Sequence, residues 1–324
     1  MRRRIAALAV AAALSAACAR EMSGAAAVRS SALGALPAPS VGLLVVEVHS
    51  LKDLRAASGW IREMAAAADR SPLFRRVKER LGRRTLRRVG RLGLAVAPED
   101  GGGITYALLL EGSFGEARLR EALGGAEIFT FLKSAGGPDF SATVLGADAL
   151  ALGPREVLET MRRNARGRRR SGIARNRALL EPLAKVRASS QVWGAIDYDP
   201  MLALVRRAGP QVELGDAAAG ARLVANHLRS VAFQGALGRS LEIDLFGEAD
   251  GAENAGLLAD TLRGLIALGR MGASGGEARE WLEFLEGIRV DQRGSEVSLR
   301  ASVPEKTMTA LADAVRSGAP TQGP

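Results

Sequence analysis

The feature that most constrains the fold of this chain is an internal repeat. Residues 45–54 read VVEVHSLKDL and residues 195–204 read AIDYDPMLAL. At a constant offset of 150, Val46 falls on Ile196, Glu47 on Asp197, Leu51 on Met201 and Leu54 on Leu204. Each copy alternates like a half-buried strand and then changes to helical spacing. The carboxyl ends of the halves also agree: Pro154 and Pro304, again 150 apart, follow the alternating segments ALALG and VSLRASV. Proline suits the first helical position, where its missing N–H is not needed. Behind the prolines, Val157, Leu158 and Met161 in one copy and Met308, Leu311 and Val315 in the other mark apolar helix faces, closed by Gly167 and Gly318.

The middles correspond at a different spacing. LGLAVA followed by ITYALLLEG answers VAFQGA followed by SLEIDLFG, with Gly112 and Gly247 separated by 135. Tyr106, Leu108 and Leu110, like Leu241, Ile243 and Leu245, alternate as antiparallel strands require. Gly101, Gly102 and Gly103 join two such strands, which predicts a hairpin rather than a phosphate loop. The first copy carries an extra basic helix, SPLFRRVKERLGRR, and the second carries NAGLLADTLRGLIALGRMG and the amphipathic EAREWLEFLEGI. The expected fold is α+β, with two tandem ferredoxin-like repeats at 41–167 and 189–318, each an antiparallel sheet with helices packed on one face. A basic linker with a short helix spans 168–188, and a disordered tail spans 319–324. The repeats either merge their sheets or stand as two domains.

Ahead of the repeats, Arg2, Arg3 and Arg4 precede the uncharged run Ile5–Ala17. A basic start, a short apolar core and small residues at its end form a signal peptide over 1–17. This run of thirteen residues is shorter than the roughly 20 a membrane-spanning helix needs. Two readings of the cleavage site stand side by side. In one, ordinary cleavage leaves Cys18 as a bystander; in the other, Cys18 becomes the lipid-bearing first residue. LSAAC resembles the lipobox of bacterial lipoproteins, although Ser15 stands where leucine is usual and Leu14 lies one place earlier. An unpaired thiol is a liability in an exported chain unless it is consumed, and Cys18 is the only cysteine. Residues 18–40, small and polar with two prolines, are expected to be a lipid-anchored flexible tether. Signal, lipobox-like cysteine and duplicated α+β unit together resemble a group of uncharacterised exported bacterial proteins and lipoproteins. That resemblance implies the cell envelope, at the periplasmic face of the outer membrane, and supplies no catalytic residue.

Charge is concentrated in two places. Arg70–Arg91 holds ten basic residues against one acid, and Arg155–Arg177 holds nine against two. Arg83, Arg84, Arg87 and Arg88 in the first stretch and Arg168, Arg169 and Arg170 in the second are candidate anion-binding residues. The alternative is a solvated surface in an arginine-rich chain. Nucleic acid is a poor expectation, because stacking platforms are scarce at 4% aromatic content.

Catalytic signatures are weak. The two histidines, His49 and His227, lack sequence partners, and His49 falls opposite Asp199 as a helix-start residue. Asp197 and Asp199 share one side of a strand but lack the further oxygens that calcium would take. No cofactor, metal site or enzymatic activity is expected. The expected function is binding or scaffolding by a lipid-anchored envelope protein. The alternative is a module for polyanions or anionic membranes using the arginine clusters, and a hydrolase with its site between the repeats ranks below both.

Overall fold

Strands β1 (Gly42–Glu47) and β7 (Val192–Asp197), the segments in which the repeat is clearest, lie antiparallel to each other in the middle of one sheet. Leu44 and Gly194, 150 residues apart, face each other directly, so a local two-fold axis passes between them. From β1 the sheet runs outward through β2 (Val89–Pro98), β3 (Ile104–Gly112), β6 (Ala149–Gly153), β5 (Phe140–Gly146) and β4 (Phe129–Leu132). From β7 it runs through β8 (Leu228–Leu237), β9 (Ser240–Ala249), β11 (Glu296–Pro304) and β10 (Arg289–Arg293). This computed structural model describes residues 22–52, 72–99, 103–132, 139–167, 172–208, 227–238, 240–272 and 279–304. The signal peptide, Cys18, Arg168–Arg170, the apolar positions Met308, Leu311 and Val315, and the tail 319–324 lie outside them.

The sheets of the two halves are therefore merged into one of eleven strands. All ten neighbouring pairs are antiparallel. The ferredoxin-like expectation is not met, since a split β-α-β unit holds its helix-linked strands parallel with another strand between them, whereas here the helix-linked β1 and β2, like β7 and β8, are direct antiparallel neighbours. Register also moves the sequence alignment. Leu152 and Leu299 occupy equivalent rows, 147 apart, which leaves Pro304 three residues beyond the true counterpart of Pro154.

The helices are α1 (Gly24–Ser30), α2 (Val48–Lys52), α3 (Pro72–Leu86), α4 (Glu116–Ala122), α5 (Arg155–Arg166), α6 (Arg177–Leu183), α7 (Tyr198–Ala208), α8 (Ala252–Gly272) and α9 (Arg279–Gly287). They pack on both faces, not on one. On face A, the odd-numbered residues Leu43, Val45, Ala95, Ala107, Leu109 and Ala151 are buried under α1, α5 and α6 and two short 3₁₀ turns. On face B, α3 and α4 bring Val77, Leu81, Leu119 and Leu123 onto Leu110, Leu150 and Leu152. At the other end of face B, Ala255, Leu258 and Ala259 of α8 cover Leu228, Ala249 and Val297. Segments such as Ala149–Leu152 supply small residues to one face and leucines to the other, so a single strand seats helices on both sides.

The tether expectation is corrected from Met22 onward. Ser23 caps α1 by accepting from the Ala26 amide, and Val28, Leu33 and Leu36 are fully buried. A Cβ at Gly24 would lie 3.1 Å from the Trp193 ring and from Leu183 O, so small residues here bring a helix close to a buried indole. In the expected linker, the short helix is α6. Residues 172–183 fold as a 3₁₀ turn and α6, with Ile173, Leu179, Leu180 and Leu183 in the same core. Gly172, at φ +75°, lets the chain approach the Gly34 and Leu36 carbonyls, where a Cβ would lie at 2.5 and 2.6 Å.

Candidate functional site

Face B carries one unbroken apolar row across all eleven strands. In register it reads Phe129, Ala142, Leu152, Leu108, Leu94, Leu44, Gly194, Phe233, Leu245, Leu299 and Val290. A second row passes Tyr106, Val96, Gly42, Ile196, Val231 and Gly247, and a third passes Leu92, Val46, Val192, Gly235 and Ile243. None of these positions carries a charge.

Among the described residues α3, α4 and α8 cover the ends of this surface, while α2 packs on β2 and α7 on β7 and β8 nearer its middle. Leu44, Leu94, Phe233, Leu245 and Leu299 are half-buried, and they belong to none of the three buried clusters. Ile104 and Tyr106, on the same face, are 41% and 40% exposed. Met201 of α7 reaches over Gly42, where its methyl group would stand 2.7 Å from a Cβ. The result is a floor of sheet between helical walls, with its backbone groups already paired within the sheet. Such a surface offers shape and apolar contact, and no general acid, base or nucleophile.

The first arginine cluster follows the inward-facing residues of α3, a helix that packs on face B. Val77, Leu81 and Thr85 of α3 point into the protein, while Arg83, Arg84, Arg87 and Arg88 are exposed at its carboxyl end, directly before β2. Gly82 breaks the helix at φ +74°. Arg88 donates to Ser113 O at 3.3 Å, whereas Arg83 and Arg84 form no ion pair among the described residues. Arg80 lies 4.7 Å over the Phe129 ring. Of the second cluster, Arg168–Arg170 lie outside the described residues, and α5, which precedes them, packs on face A.

Face A of the second half is polar where the first half is apolar. Counting outward from the central pair, Asp244 takes the place of Ala107, Glu296 that of Ala149 and Ser298 that of Ala151. Here Arg300 Nε and Gln234 Nε2 each donate to Asp244 at 2.8 Å, and Lys185 Nζ lies 2.9 Å from Glu248 and 2.5 Å from Glu296. Burial would raise the Asp244 carboxyl, but its hydrogen bonds from Gln234 and Arg300 hold it below the usual aspartate range. Burial likewise opposes the Lys185 charge, and Glu296 and Glu248 together raise its pKa. The depression, about 440 Å³, is thus lined by charges that already neutralise one another. This network was missed in the sequence because its members come from β8, β9, β11 and the loop after α6.

The remaining candidates do not converge. β1 and β7 run in opposite directions, with the Glu47 amide bonded to Gln191 O and the Asp197 amide to Val41 O. His49 therefore lies at one end of the central pair, and Asp197, Asp199 and His227 at the other. Burial and the neighbouring Asp199 raise the Asp197 pKa. Among the described residues no group of three or more His, Cys, Asp or Glu is placed to hold a metal ion, and no helix is long and apolar enough to cross a membrane.

No family model matches the chain, and no curated protein matches it. Among solved structures it is similar to crystal form III of TP0453, with TM-score 0.47 and 10% identity over 86% of this chain and 96% of that one. Crystal form I of TP0453 gives TM-score 0.46 and 10% identity over 88% and 97%.

Proposed function

We propose that this chain is a lipid-anchored cell-envelope protein, attached through Cys18 at the periplasmic face of the outer membrane, whose duplicated α+β body binds a partner and does not catalyse. The observation that carries the binding role is the uncharged floor at the centre of face B. Half-buried leucines and a phenylalanine form a continuous surface there, and contiguous apolar surface of this kind marks interaction sites in soluble bodies. The duplication is supported by Leu44 and Gly194 meeting across the two-fold axis, and by matching strand orders on either side of it.

The anchor reading rests on the sequence, and the fold gives it a consequence. Only Ala19, Arg20, Glu21 and Met22 separate Cys18 from the cap of α1. Five extended steps reach at most about 18 Å, so a lipid on Cys18 would hold the body against the membrane surface instead of letting it range on a long tether. Two acyl signals or more give the stable attachment that a single chain does not.

The test is fractionation of wild type and Cys18→Ser, with mass analysis of the mature amino terminus. Membrane-bound wild type bearing acyl mass on Cys18, with soluble Cys18→Ser, is the expected result. Soluble wild type beginning after Ala19 refutes the anchor.

A further inference from the structure

We infer that the end of the sheet at which α3 runs into β2 faces the anionic headgroups of the membrane, with Arg83, Arg84, Arg87 and Arg88 as the contacting residues. This inference rests on the anchor reading proposed above and adds to it the surface that lies against the bilayer.

Three observations carry it. First, a short path of contacts joins the anchor to this end. Met22 O accepts from the Ala188 amide at 2.8 Å, and three residues later Gln191 O accepts from the Glu47 amide at 2.7 Å, where β1 closes. Glu47 in turn meets Arg91 Nε at 2.6 Å, three residues after Arg88. Cys18 lies four residues before Met22, a reach of at most about 14 Å, so an acyl chain on it brings this end of the body to the membrane.

Second, the cluster is exposed and only partly neutralised. Arg83 and Arg84 form no ion pair among the described residues, and Arg88 donates to the Ser113 carbonyl. Nearby, Glu47 and Glu111 share Arg91, and Asp148 O accepts from the Gly112 amide, so five arginines stand against three carboxylates. In the second half, by contrast, Lys185, Arg229, Arg263 and Arg300 each lie against a carboxylate.

Third, the opposite end of the sheet has the other sign. Glu99 follows the close of β2, Asp199 follows Asp197 at the close of β7, and Asp250 and Glu253 follow β9. Arginines at that end include Arg155, Arg175, Arg177 and Arg229, and these acids together with Glu156 and Glu159 outnumber the four. A body polarised in this way turns its basic end to an anionic surface.

The experiment uses the mature chain from residue 18 with Cys18→Ser, sedimented with vesicles of phosphatidylcholine alone and with vesicles that also contain phosphatidylglycerol. Expected are binding to the anionic vesicles, release by high salt, and no binding to phosphatidylcholine. Each arginine at the surface contributes about fivefold, so replacing Arg83, Arg84, Arg87 and Arg88 with Gln should weaken binding more than about a hundredfold. Where that variant does not fold, Arg83→Gln with Arg84→Gln, both exposed, should weaken it about twentyfold. The same number of charges removed at the other end, by Gln at Arg155, Arg175, Arg177 and Arg229, should leave binding within about threefold of the unsubstituted protein.

Absence of binding to the anionic vesicles overturns the inference, as does equal binding to phosphatidylcholine. Equal losses from the two sets of substitutions also overturn it, because net charge and not this surface would then be responsible. Binding of soluble polyphosphate without vesicle binding assigns the cluster to another polyanion and withdraws the membrane. Failure of the anchor is read separately, from the amino-terminal mass.

Discussion

Face A and face B of the sheet are built from the same strands, and they finish differently. Under α1, α5 and α6, face A presents alanines at 95, 107, 149 and 151, which let helices approach closely and leave little surface uncovered. Face B presents larger leucines, valines and phenylalanine, with helices closing over its two ends while the middle stays half-buried. Small residues under helices therefore mark a finished core, and large residues between helices mark a surface that keeps contact area for something else. Where face A is left open, in the second half, its residues have turned polar and charge-paired. The middle of face B instead stays apolar and half-buried.

The comparison breaks most visibly at Trp193, which is fully buried on face A. Trp193→Ala is expected to cost about 3–5 kcal/mol in denaturant unfolding. Its indole N–H has no partner among the described residues, so Trp193→Phe should cost less than about 1.5 kcal/mol. Next comes a pair that sets the faces against each other. Leu109→Ala on face A should lose about 2–5 kcal/mol and Leu44→Ala on face B clearly less, and equal losses would erase the distinction. Gly24→Leu should then cost about 1–3 kcal/mol, because α1 is seated on Trp193, whereas a free tether would register nothing.

The smallest effect is electrostatic and belongs to the polar part of face A. A lowered native pKa at Asp244 contributes stability that is complete above the ordinary aspartate value of 3.8 and is lost as pH falls through the native value. Asp244→Asn should flatten that acid limb of the stability profile. Asp197, with its raised pKa, carries the opposite sign, and Asp197→Asn should slightly increase stability above pH 3.8.

Much of this was legible in the sequence, because alternation is a local property. Both hairpins, the strand-to-helix turns of the two copies and the basic helix appear where their patterns place them. Three features were hidden for identifiable reasons. Segment 24–36 is rich in alanine, glycine and serine, and such small residues serve a close-packed helix as readily as a flexible tether. Burial on both faces was present in Leu92, Leu94 and Val96 alternating with Ala95 and Ala97, but apolar residues of two sizes do not look like a polar and apolar alternation. The merging of the sheets depends on Gly194, where a Cβ would lie 2.1 Å from Leu43 O and 2.6 Å from the Phe233 ring. A glycine in a strand signals a close approach without naming the partner. Of the candidate residues, Arg83 and Arg84 are exposed on a helix of face B, while the floor itself joins rows from strands far apart in sequence.

The central claim is that the middle of face B is a half-buried apolar surface while face A under α1, α5 and α6 is a closed core. It is tested most directly by single thiols in the Cys18→Ser protein: Leu44→Cys and Leu94→Cys on face B, and Leu109→Cys on face A. The account predicts that the two face-B thiols react faster with a soluble thiol reagent than the Leu109→Cys thiol, which stays unreactive. Equal reactivity on the two faces would contradict it.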